Sequence, residues 1–91
     1  MMKIHGIETP EVLADKARLW MLGRRKQGFT ARSLQAWAEV EAENGAMPRM
    51  RTRYYTLGWS MRFADRMISM WKKARLIVKR LRPNRGWVVC G

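Results

Sequence analysis

The sequence predicts a mainly α-helical domain that ends in a β-hairpin, and three observations carry that expectation. The chain has 91 residues, 47% of them apolar, which suits one hydrophobic core and leaves little for a second. Apolar side chains recur at helical spacing through most of the length. After Lys73 the pattern changes to two β-rich runs, Leu76-Ile77-Val78-Lys79-Arg80-Leu81 and Trp87-Val88-Val89-Cys90, on either side of a Pro/Asn/Gly turn. A domain of this size buries roughly 60 to 65% of the surface its unfolded chain exposes, so no large enclosed substrate cavity is expected.

Thr9-Pro10-Glu11 supplies a capping hydroxyl, a proline suited to the first helical position and a carboxylate that complements the helix dipole. With Val12, Leu13, Ala17, Trp20 and Met21 following near helical spacing and Gly23 as a stop, the first helix is expected over residues 10–22. His5, before it, is expected in a frayed amino terminus. Thr30 is the next cap, and Leu34, Trp37, Ala38 and Glu41 keep helical spacing until Asn44-Gly45, so a scaffold helix is expected over residues 31–43. Pro48 opens a short helix over residues 49–57, ended by Gly58. Ser60 caps a further helix over residues 61–74, with Phe63, Ala64, Met67, Met70, Trp71 and Ala74 on one face and Arg62, Asp65, Arg66, Ser69, Lys72 and Lys73 on the other. The hairpin then occupies residues 76–90. Trp37, Trp59, Trp71 and Trp87 are expected in the core. Trp20 leaves two readings open, packing into the domain or against a second copy, which makes a homodimer through helix 10–22 possible.

Charge is distributed unevenly. The chain carries 19 Lys and Arg against 7 Asp and Glu, a formal net charge of +12. Up to Pro48 the balance is +1, whereas the 43 residues from Arg49 onward hold twelve basic side chains and one acidic one, Asp65, for +11. So concentrated an excess costs self-repulsion unless a polyanion relieves it, which makes nucleic acid the leading partner class.

Tyr55-Thr56-Leu57-Gly58-Trp59-Ser60-Met61 joins the short helix to the longer one with glycine at the point where a tight turn needs a left-handed residue. That is the grammar of a helix-turn-helix, with Leu57 and Trp59 expected to pack between the two helices. A basic hairpin directly after the second helix adds a wing, so the fold expected is a winged helix-turn-helix with an extra N-terminal helix.

Glu43-Asn44-Gly45-Ala46-Met47-Pro48, Leu57-Gly58, Ala74-Arg75-Leu76-Ile77-Val78 and Arg85-Gly86-Trp87-Val88 fall in winged-helix order, and here the chain resembles the DNA-binding domain of LexA-type repressors. The resemblance spans roughly the last 60% of the chain and is one of superfamily pattern. It implies that helix 31–43 is the scaffold, 49–57 the first helix of the motif and 61–74 the recognition helix. The chain departs from the family at Arg53-Tyr54-Tyr55, where small apolar residues are usual, and the self-cleaving, dimerising domain attached to the LexA type is not expected here.

On helix 61–74, Arg62, Arg66, Ser69 and Lys73 form one line, with Lys72 beside it, and arginine bonds guanine O6 and N7 bidentately. Ser60 combines a cap with free amides that hold a phosphate. Arg80, Arg82, Asn84 and Arg85 surround the hairpin tip, suited to the phosphate backbone or a narrow minor groove. Arg51 and Tyr55 complete the DNA-contacting set, toward flanking phosphates. Each charged face has a plainer reading as a solvated surface.

General acid/base or metal chemistry needs convergent His, Cys or carboxylates. The chain has one histidine, His5, one cysteine, Cys90, and carboxylates placed mostly on helix surfaces, with no glycine-rich phosphate loop. Neither catalysis, a metal site, a cofactor nor a small-molecule substrate is therefore expected. The chain lacks an apolar run of membrane length and the apolar core of a secretion signal, so a cytoplasmic protein without a membrane partner is expected. The function expected is a small sequence-specific transcriptional regulator, or a DNA-binding factor of a phage or mobile element, with double-stranded DNA as partner. The alternatives are an RNA-binding protein and a phage-type inhibitor that docks a protein through its basic face.

Overall fold

A computed structural model describes residues 2–47, 50, 52–80 and 86–90. In chain order the elements are strands β1 (Met2–Ile4) and β2 (Ile7–Thr9), helices α1 (Glu11–Leu22), α2 (Ala31–Glu41) and α3 (Arg53–Lys73), then strands β3 (Ile77–Lys79) and β4 (Trp87–Val89). The architecture is thus mainly helical, with one antiparallel strand pair before the helices and one after.

The amino terminus is built rather than frayed. β1 and β2 pair with Ile4 opposite Ile7, and the turn between them is the two residues His5 and Gly6, both at positive φ (53° and 73°). Two-residue hairpin turns favour this backbone, with glycine at no steric cost and histidine among the side chains that tolerate it. Thr9 does not cap α1. It ends β2 fully buried, where its Oγ1 accepts a hydrogen bond from the Trp59 indole Nε1 at 2.9 Å and donates to the Ile7 carbonyl at 3.2 Å. Pro10, extended at φ −61° and ψ 138°, precedes the first helical residue, Glu11.

The Thr30 cap is as expected and reciprocal: its Oγ1 accepts from the Ser33 amide at 3.0 Å, while the Ser33 Oγ accepts from the Thr30 amide at 2.9 Å. α2 then opens into a wide helical turn over Ala42–Ala46, closed by Gly45 at φ 95°.

The structure departs furthest from the sequence expectation at Gly58. α3 runs without interruption for 21 residues through Leu57, Gly58, Trp59 and Ser60, so the tight turn expected there is absent and helices 49–57 and 61–74 are not separate elements. Its cap is Thr52, whose side chain accepts from the Tyr55 amide at 3.4 Å. Gly58 answers to packing: a Cβ at this position would lie 2.7 Å from His5 Nε2, beneath the tip of the β1–β2 hairpin. Ser60, expected as an exposed cap, is buried in mid-helix and donates from Oγ to the Leu57 carbonyl at 3.0 Å. Pro48, Arg49 and Arg51, expected at the start of the shorter helix, lie outside the described residues.

The buried face of α3, with Trp59, Phe63, Ala64, Met67 and Trp71, packs along α2 and forms the centre of the core. A line of rings runs through it: Trp59 on Phe63 (5.3 Å between centroids), Phe63 on Trp37 (6.4 Å), Trp37 on Trp20 (6.2 Å), Trp20 on Phe29 (5.6 Å) and Phe29 on Trp71 (5.9 Å). These contacts join all three helices in one aromatic network, in geometries that add about 0.5–1.5 kcal/mol per pair beyond area burial. Trp20 therefore packs into its own domain, as do Leu13, Ala17 and Met21, and the apolar side chains that α1 leaves outside are Val12 and Leu19.

The C-terminal hairpin pairs Ile77 with Val89, Val78 with Val88 and Lys79 with Trp87; its tip, residues 81–85, lies outside the described residues. It is tied to the core by a reciprocal backbone pair, Phe29 amide to Trp87 carbonyl at 2.9 Å and Trp87 amide to Phe29 carbonyl at 2.7 Å. Gly86 permits that approach. Its φ is 142°, and a Cβ would sit 2.6 Å from the Phe29 carbonyl oxygen.

Candidate nucleic-acid interface

Because Trp59, Phe63, Met67 and Trp71 recur at intervals of four and fix the inner face of α3, the outer face is fixed with them. Arg62, Asp65, Arg66, Ser69 and Lys73 are all exposed there. The expected line Arg62, Arg66, Ser69 and Lys73 is thus assembled, on a longer helix than expected. Asp65 forms no ion pair with either neighbouring arginine among the described residues, so it does not neutralise the row by direct contact.

The N-terminal hairpin borders this row. Arg66 Nη1 donates to the Lys3 carbonyl at 3.0 Å, and the His5 ring stands edge-on to Tyr55, 6.4 Å between centroids. Between hairpin and helix lies an open groove of about 490 Å³, with Lys3, Ile4 and His5 on one wall and Arg62, Asp65, Arg66, Ser69, Met70 and Lys73 on the other. Lys3 and His5 were not among the site residues expected from the sequence. The signal for them was present: Met2-Lys3-Ile4 and Ile7-Glu8-Thr9 alternate about a two-residue turn containing glycine.

The remaining expected residues are dispersed. Lys72 points away from the groove, its Nζ 5.8 Å from the Trp87 ring centroid, and so braces the C-terminal hairpin. Arg80, expected at the hairpin tip, folds back and donates from Nη2 to the Gln27 carbonyl at 2.8 Å. There it shares a smaller recess with Arg24, Thr30 and Ser33 at the start of α2. Tyr55 is exposed at the beginning of α3, next to the more exposed Tyr54. Arg53 turns toward α2 and the turn after it, with Nη1 3.5 Å from Glu43 Oε1 and Nη2 4.0 Å from Glu39 Oε1. Ser60 is removed from the candidate set by its burial. Arg51, Arg82, Asn84 and Arg85 lie outside the described residues.

Among the described residues, no three His, Cys, Asp or Glu side chains gather as a metal site, and no helix is long and apolar enough to cross a membrane. No known family, curated protein or solved structure matches the chain.

Proposed function

We propose that this protein is a small DNA-binding regulator that lays the outer face of α3 in the major groove of duplex DNA. The observation that carries the reading is the row Arg62, Arg66, Ser69 and Lys73, exposed along one helix whose opposite face fills the core. A helix held this rigidly presents its polar row as a unit, and a row over residues 62–73 is about 16 Å long at the helical rise, enough to follow a groove. The order of elements supports a winged-helix arrangement in a register different from the one expected. α1, the isolated Phe29–Trp87 bridge, α2, α3 and the β3–β4 hairpin follow one another as a scaffold helix, a helix pair and a wing. In this register α2 is the first helix of the pair and α3 the recognition helix.

Arg66 is partly occupied by the Lys3 carbonyl, so base reading falls first to Arg62, for which no hydrogen bond or ion pair is seen among the described residues. The test is fluorescence anisotropy on selected and random duplexes over a salt series, with an RNA hairpin as competitor. Specific duplex binding with a steep salt slope is expected. Arg62→Ala should then cost about 1–3 kcal/mol on the selected site and relax preference at one position. Equal loss on selected and random DNA would assign Arg62 to phosphate, and displacement of the protein by the RNA hairpin but not by duplex would overturn the DNA reading.

A further inference from the structure

We propose that the N-terminal hairpin β1–β2 is a second wing, which forms with α3 a cleft that grips one sugar–phosphate strand of the duplex. The inference rests on the DNA reading above and assigns a part of the contact that the recognition helix alone does not supply.

The hairpin is anchored as a rigid wall. Ile4 and Thr9 are buried, Thr9 takes the Trp59 indole hydrogen bond at 2.9 Å, and Arg66 holds the Lys3 carbonyl at 3.0 Å. The ring of the turn residue His5 rests over Gly58, its Nε2 2.7 Å from where a Cβ would stand. A short hairpin is marginal in isolation, so its position depends on this seating. The seating brings Lys3, some sixty residues away in sequence, to the edge of the groove opposite Arg62 and Lys73.

The charge arrangement favours a polyanion over a small anion. The groove is lined by Lys3, Arg62, Arg66 and Lys73, with Asp65 as the one carboxylate among the described residues. Its cations extend from Lys3 on the hairpin to Lys73 near the end of α3, so a single phosphate would meet only part of them, whereas consecutive phosphates of a strand meet Lys3 and Lys73 in turn and leave Arg62 to the bases. Glu8 lies opposite Lys3 in the hairpin register but does not line the groove. Lys3 carries an exposed ammonium on a fixed backbone, the residue type suited to a phosphate as a point charge and not to reading a base edge. Arg66 is a positioning residue in this scheme, holding the two walls in register.

The experiment measures full-chain binding to a 20-bp duplex by anisotropy over a salt series for wild type, Lys3→Ala, Lys3→Arg and Lys73→Ala, with thermal melts to establish that each variant folds. The expected result is that Lys3→Ala weakens binding by the same factor on selected and random duplexes and lowers the slope of log K against log salt by about 0.9, while Lys3→Arg keeps the wild-type slope. If Lys3→Ala leaves slope and affinity unchanged while Lys73→Ala lowers both, the hairpin is not a wing and the proposal is overturned with the DNA reading intact. If wild type itself fails to bind duplex, both are overturned together.

Discussion

Gly58 distinguishes a continuous α3 from a broken one by a measurement of stability alone. In an exposed helix interior, replacing glycine with alanine stabilises by about 0.8–1.0 kcal/mol. At Gly58 the added Cβ meets His5 Nε2 at 2.7 Å and two ring carbons at 3.1 and 3.2 Å. The obstacle is a side chain on an exposed turn, so the ring swings aside at the loss of its edge contact with Tyr55 and its seat on the helix. That loss is comparable with the helical gain, and Gly58→Ala in the wild-type background is expected within about 0.5 kcal/mol of neutral. His5→Gly removes the ring and relieves the positive φ at that position, and in this background Gly58→Ala should give the full gain of about 1 kcal/mol. Urea denaturation of the four proteins in the cycle measures the difference, and in melts it amounts to about 4–8 °C for a domain of this size. If Gly58 instead occupies a left-handed turn, alanine destabilises by more than about 1 kcal/mol in both backgrounds alike, and the continuous helix is refuted.

Two further expectations follow from the same packing. Thr9→Val leaves the fully buried Trp59 indole N–H without its acceptor and should destabilise by about 1–3 kcal/mol, measured by urea denaturation; an unchanged midpoint would mean that the hairpin is not seated as described. Gly86→Ala places a Cβ 2.6 Å from the Phe29 carbonyl at a φ of 142°, so the hairpin must separate from the core and the Phe29 and Trp87 amides should lose hydrogen-exchange protection.

The parts of the fold legible in the sequence were those governed by local chemistry. Thr30 announced the start of α2, the β-rich runs announced the C-terminal hairpin, and the tryptophans on apolar faces announced the core. The errors arose where a local signal met a tertiary contact. Thr9-Pro10-Glu11 has the residues of a helix cap, but the buried Trp59 N–H needs an acceptor and takes the Thr9 hydroxyl. Leu57-Gly58 before Ser60 has the residues of a turn, yet Trp59, Phe63, Met67 and Trp71 continue one stripe straight through it. Nothing adjacent to Gly58 in sequence reveals that His5 needs the space.

The outer face of α3 survived that error for a geometric reason. Helical phase is set by the buried stripe, so Arg62, Arg66, Ser69 and Lys73 project together whether the helix begins at residue 53 or residue 61. What the error displaced was the end of the helix. A helix starting at residue 61 offers Ser60 and Arg62 at its tip, where the first turn of a recognition helix meets base edges. In α3 that tip carries Tyr54 and Tyr55 instead, two turns earlier, with Tyr55 edge-on to the hairpin's His5. Arg62 then lies in mid-helix beside the groove, so the contact proposed for it runs along the helix flank rather than its end. In the proposed DNA complex a flank contact needs a wall on its other side to hold a strand in place, and the hairpin bearing Lys3 borders the groove there.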